Sequence, residues 1–138
     1  MLCALIAGDN MAVSRAIENS LAGMGFDRFD HSWTQAQSVA VAGSKNFDLV
    51  VIGDALSAGS PSIVARFFCE NTRTPVVLLH AGTCEVRRPG TDGPILDGPF
   101  DLIDLDRAVG VARRAKVHSG ASASPAELGG ESAEKCTA

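Results

Sequence analysis

A chain of 138 residues, 46% of them apolar and 20% charged, can bury one hydrophobic core and stay in solution. Its net charge of −4 and the want of any basic stripe argue against nucleic acid as a partner, because phosphate recognition needs a positive surface. No run approaches the ~20 apolar residues of a membrane helix, and MLCALIAGDN lacks the basic leader of a signal peptide, so the protein is expected in the cytoplasm with no membrane partner.

Leu2–Ala7 is a continuous apolar run, which suits a strand covered on both faces. Asn10 can cap a helix in which Val13, Ala16, Ile17, Leu21 and Met24 recur at helical spacing, with Gly23 and Gly25 as the stop. Phe29, His31 and Trp33 alternate with polar residues, predicting an edge strand over Arg28–Trp33, with Trp33 packed under a helix. Thr34 caps a short helix that Gly43 ends. Leu49–Gly53 is β-branched and apolar, the clearest strand. After a Ser- and Gly-rich loop, Ser60 and Pro61 start a helix expected to bury Ile63, Val64, Phe67 and Phe68.

Pro75–Leu79 is the next buried strand. Residues 81–94 show no apolar period and several breakers, and read as mostly loop with at most a helical turn. Ile95–Asp97 is a brief last strand, and Asp101 or Asp104 caps a final helix carrying Leu105, Val109 and Ala112. From Val117 the chain turns rich in Ser, Gly, Ala and Glu, which divides it into a folded domain over 1–116 and a flexible tail over 117–138. Cys3, Cys69, Cys84 and Cys136 form no CxxC or metal spacing and are expected to be free thiols.

Strand–helix alternation implies right-handed crossovers and a parallel sheet covered on both faces. The expected architecture is a flavodoxin-like three-layer sandwich, with five parallel strands in the order 2-1-3-4-5 and a fourth helix short or missing. Functional groups in such sheets gather beyond the carboxyl ends of the strands, at the switch point. Asp9, Asp54, His80 and Gly98 stand just past strand ends. Strands one and three are neighbours in that order, so Asp9 and Asp54 would face each other. Two carboxylates, a backbone carbonyl and waters make a Mg²⁺ site, since Mg²⁺ takes hard oxygen ligands and keeps water. Each acid also has a plainer use: Asp54 can bond amides of its own loop, and Asp9 can favour a helix start.

At these residues the sequence resembles the receiver domains of response regulators. LIAGDN is similar to the strand that ends in paired acids, and FDLVVIGDAL to the segment carrying the phosphorylated aspartate. TPVVLLHAG resembles the fourth strand, and GPFDLIDLDRAV the lysine–proline–phenylalanine turn and last helix. The resemblance runs in order over about residues 2–115. It implies a phosphoacceptor at Asp54 and Mg²⁺ held by Asp9, Asp54 and the Leu56 carbonyl. It also implies a histidine kinase or phosphotransfer protein as donor, and a downstream protein target. Self-association into a homodimer is an arrangement the sequence allows.

The departures are as informative. Gly8 stands where the family has its first acid, His80 where it has Thr or Ser, Gly98 where it has Lys, and Ile95 at the aromatic switch position. Phosphoryl transfer is mostly positioning and charge neutralisation, so these losses weaken both. The leading expectation is a non-enzymatic stand-alone receiver in a two-component or phosphorelay pathway. A phosphorylation-independent pseudo-receiver adaptor is the alternative. A small Asp-nucleophile phosphatase ranks below both, because Leu56 stands where its second Asp is needed.

Overall fold

The computed structural model describes residues 2–89 and 95–113. The expected tail and the Lys116 boundary lie outside the described residues. In chain order the elements are β1 (Leu2–Ala7), α1 (Met11–Ala22), β2 (Phe26–Ser32), α2 (Gln35–Ser44), β3 (Leu49–Ile52), α3 (Pro61–Asn71), β4 (Val76–His80), β5 (Thr83–Arg88) and β6 (Ile95–Asp101). A 3₁₀ turn over Leu102–Asp104 leads into a last helix, α4, at residues 105–113.

α1, α2 and α3 each start where a side-chain oxygen satisfies free amides, whereas Asp101, expected as a cap, makes no side-chain capping bond at the 3₁₀ turn before α4. Asn10 accepts from the N–H groups of Ala12 and Val13, and Ser60 accepts from Ile63 ahead of Pro61. Thr34 and Gln37 form a reciprocal capping box at α2.

β1, β3 and β4 are apolar because both their faces are covered. One core cluster joins Ala4, Ile6, Leu49, Val51, Val77 and Leu79 to Ile17 and Leu21 of α1 and to Leu105, Val109 and Ala112 of α4. The other joins Leu5, Ala7, Val50, Ile52, Val76 and Leu78 to Val64, Ala65 and Phe68 of α3, with Val41 of α2 against it. The three-layer sandwich is therefore as expected.

The sheet differs from the expected five parallel strands. It has six, in the order β2-β1-β3-β4-β5-β6. β1 pairs in parallel with β2 and β3, and β3 with β4. β5 then pairs antiparallel with β4, and β6 antiparallel with β5. Residues 83–88, read from sequence as loop, are thus a strand, and no crossover helix joins β4 to β5. Ala81 and Gly82, with φ of 49° and 82°, form a two-residue turn between the paired residues His80 and Thr83. Positive φ at both central positions is what the I′ hairpin turn requires. Cys84 and Val86 of β5 enter the core while Thr83, Glu85 and Arg87 face the other way.

β6 is longer than the expected Ile95–Asp97 and holds Gly98 and Pro99 in its interior, where the ladder to β5 shifts register. Gly98 is therefore not beyond a strand end. Two apolar side chains also depart from expectation. Ile63 of α3 and Trp33 are exposed, the indole Nε1 donating to Met11 Sδ at 3.4 Å. Cys69 and Cys84 are free thiols, whereas Cys3 is disulfide-bonded, against the expectation for it. Among the described residues no helix is long and apolar enough to cross a membrane.

Candidate functional site

The carboxyl ends of β1, β2 and β3 are latched together by backbone hydrogen bonds. Gly8 N–H donates to Ser32 O at 2.9 Å, Gly53 N–H to Ala7 O at 2.7 Å, and Asp9 N–H to Ala55 O at 3.1 Å. The loop after Asp54 is tied sideways to the start of α2. Ser57 N–H donates to Trp33 O at 2.8 Å, Gln35 N–H to Ala58 O at 2.9 Å, and Ser60 N–H to Gln35 Oε1 at 3.0 Å. These ties fix the two segments that carry Asp9 and Asp54 without using either carboxylate.

Both carboxylates are exposed and line one cleft of about 230 Å³ at the switch point, with Asn10, Ser14 and Thr83 among its polar walls. Asp54 Oδ2 accepts the Ala81 N–H at 3.2 Å, so the turn after β4 already touches the aspartate. Among the described residues no basic side chain lines this cleft. Gly8 lines it too. A Cβ added there would lie 3.7 Å from Ser14 Oγ and 3.8 Å from Gly53 Cα, ordinary contacts that leave room for a side chain.

The other expected positions are spread out. Leu56 is buried among Val64 and Phe68 and does not line the cleft, where its neighbour Ala55 does. His80 ends β4, exposed, and shares with Asp54 a second groove of about 460 Å³ that runs along Glu85, Arg87 and Pro99. Gly98 lies on β6, with β4 and β5 between it and the strand that precedes Asp54. At roughly 4.8 Å per strand, β5 moves it one strand further away than in a five-stranded sheet. It has φ of 104°, and a Cβ there would be 3.2 Å from Cys84 O. Ile95 begins β6 opposite Arg88, at the end of the sheet remote from the cleft.

The structure thus brings together Asp9, Asp54 and Gly8, with His80 at the rim, and leaves Ile95 and Gly98 apart. It adds Ala81 and Thr83. Their signal was the alternation in TCEVRR directly after a two-residue Ala-Gly step, which reads as a hairpin once a strand is allowed there.

Two acids fit a Mg²⁺ ion held by one or two carboxylates with water completing the shell. Among the described residues no cluster of three or more His, Cys, Asp or Glu side chains offers a fuller cage.

No protein-family model and no curated protein matches the sequence. Among solved structures, the chain is similar to the MaeR response regulator bound to beryllium trifluoride. The TM-score is 0.53 and the identity 22%, over 84% of this chain and 99% of that one. At that identity the likeness is one of fold.

Proposed function

We propose that this chain, which shares the fold of a response regulator, is a cytoplasmic receiver-like signalling protein. It accepts a phosphoryl group on Asp54 and acts by binding another protein. The observation that carries this reading is the cleft at the switch point, which holds two exposed carboxylates, with the Ala81 amide already bonded to Asp54. The neighbour's beryllium trifluoride supports it, being a small anionic group bound to a protein of the same fold.

In this reading Asp54 is the nucleophile toward phosphorus, and its donor is a histidine kinase or phosphotransfer protein. Asp9 and Asp54 would hold Mg²⁺ with water, and the ion would supply charge neutralisation. The chain's own residues do the positioning. The backbone ties at Asp9, Gly53 and Ser57 hold the acids in place, and Ala81 N–H orients Asp54.

A second reading, a phosphorylation-independent adaptor, is favoured by β5. That strand separates β4 from β6, while position 98 lacks a side chain and position 95 lies remote from the cleft. A phosphoryl group shifts an equilibrium only through contacts that differ between its two states. A phosphatase reading has no support, because the buried Leu56 offers no second acid.

The test is incubation with acetyl phosphate and Mg²⁺, followed by intact mass. One added phosphoryl group in the wild type and none in Asp54→Asn is expected. No uptake by the wild type would remove the phosphoacceptor reading and leave the adaptor.

A further inference from the structure

The hydroxyl absent from position 80 has a substitute one strand along. β4 reverses within two residues, and the residue then paired with His80 is Thr83. Thr83 lines both the cleft shared by Asp9 and Asp54 and the groove shared by Asp54 and His80, so it stands where the two meet. The same turn delivers the Ala81 N–H to Asp54 Oδ2. A half-buried, β-branched side chain in a strand has restricted χ1 freedom, so holding its oxygen toward a ligand costs little further entropy. Thr83 Oγ1 donates to His80 O at 2.8 Å.

We propose that Thr83 Oγ1, together with the Ala81 N–H, binds the phosphoryl oxygens on Asp54. This inference rests on the phosphoacceptor reading above. In the covalent step an Asp54 carboxylate oxygen forms a bond to phosphorus of acetyl phosphate. The phosphorus–oxygen bond to the acetyl group breaks, and acetate leaves with the electron pair. No proton moves. The oxygens of the new acyl phosphate are stronger acceptors than the His80 carbonyl, because a hydrogen bond to an ionised group is about twice as strong as a neutral one. The Thr83 hydroxyl exchanges one acceptor for the other, and Ala81 N–H passes from the carboxylate to the phosphoryl group.

The experiment measures the rate of phosphoryl uptake from acetyl phosphate with Mg²⁺, by intact mass, in the full chain. Thr83→Val keeps the shape and removes the hydroxyl; Thr83→Ser keeps the hydroxyl. Uptake is expected to fall about tenfold in Thr83→Val, which is about 1.4 kcal/mol, and to stay within about twofold in Thr83→Ser and His80→Ala. Thr83→Ala serves in the same comparison if the valine variant does not fold. Mg²⁺ affinity, which a merely structural loss would lower as well, is expected to be unchanged in Thr83→Val. Equal uptake by Thr83→Val and wild type, with none in Asp54→Asn, overturns the role of Thr83 and leaves the phosphoacceptor standing. A parallel loss of Mg²⁺ affinity overturns it too. No uptake by the wild type removes both.

Discussion

Replacing Gly8 by aspartate tests whether Asp9 and Asp54 share a cation. The backbone at Gly8 lies outside the positive-φ region, and its added Cβ would make contacts no closer than 3.7 Å, so a third carboxylate fits the cleft without moving the sheet. Its Cβ would lie beside Ser14 and Gly53, two residues of the cleft wall. Asp9 and Asp54 are both exposed, so a dielectric near that of water applies. Two unit charges 4 Å apart then interact by about 1 kcal/mol, and a divalent ion doubles this to about 2 kcal/mol. At about 1.4 kcal/mol per factor of ten, Mg²⁺ affinity should rise by about tenfold to thirtyfold, less at high salt. Without the ion, repulsion among three carboxylates should lower the melting temperature. Saturating Mg²⁺ should restore it, because an ion that binds only the folded state stabilises it. Titration calorimetry reads the affinity directly, and Trp33, the sole tryptophan, offers a fluorescence check from beside Met11 at the start of α1. A folded Gly8→Asp protein that binds Mg²⁺ no more tightly than wild type would refute the shared site.

Gly98→Ala should destabilise the fold by about 1–3 kcal/mol in a denaturant titration, because φ is 104° and its Cβ would press on Cys84 O and the Phe100 ring. Ala81→Asn should stabilise it by about 0.5–1 kcal/mol, since the alanine sits at φ of 49°, a region asparagine tolerates better. A loss of stability there would show that Ala81 is held by more than turn geometry. Burial pushes the Cys69 thiol up to about 11. Its alkylation at pH 8 should therefore be far slower than that of a free thiol and keep accelerating to about pH 11. The sign for stability follows from the same shift: the unfolded thiol ionises first, near pH 9, so the contribution is complete below about pH 9 and is lost between 9 and 11.

The parts legible in sequence were those decided locally. Asn10, Thr34 and Ser60 each cap a helix because cap chemistry involves only the next three residues. β1, β3 and β4 show as apolar runs because helices cover both sheet faces there, and Asp9 and Asp54 were visible as the first acids beyond two of those runs. β5 was hidden for the opposite reason. Only Cys84 and Val86 face the core, and the Ala81-Gly82 turn lacks the Asn-Gly signature of a tight hairpin. β6 was read short because glycine and proline argue against a strand interior, yet an edge strand with a register shift accommodates both. Thr83 depends on that pairing register, which no local pattern states. Periodicity places Trp33 and Ile63 inward, but Trp33 lies just past the end of β2 and Ile63 in the first turn of α3, and both are exposed.

The hairpin after β4 also changes how the sheet can assemble. β1, β2, β3 and β4 are joined through α1, α2 and α3, so each of their parallel pairings must close a long loop before any strand contact is gained. The β4–β5 pairing closes a loop of two residues. Loop-closure entropy grows with length by about 0.6 kcal/mol per doubling, so this pairing is the cheapest non-helical contact in the domain. β4, β5 and β6 form a meander whose neighbours in space are neighbours in sequence, which lowers contact order in the C-terminal half. Its strand pairings are therefore the ones in the sheet that cost the least loop-closure entropy to form. A sheet built wholly from helical crossovers has no pairing closed by so short a loop.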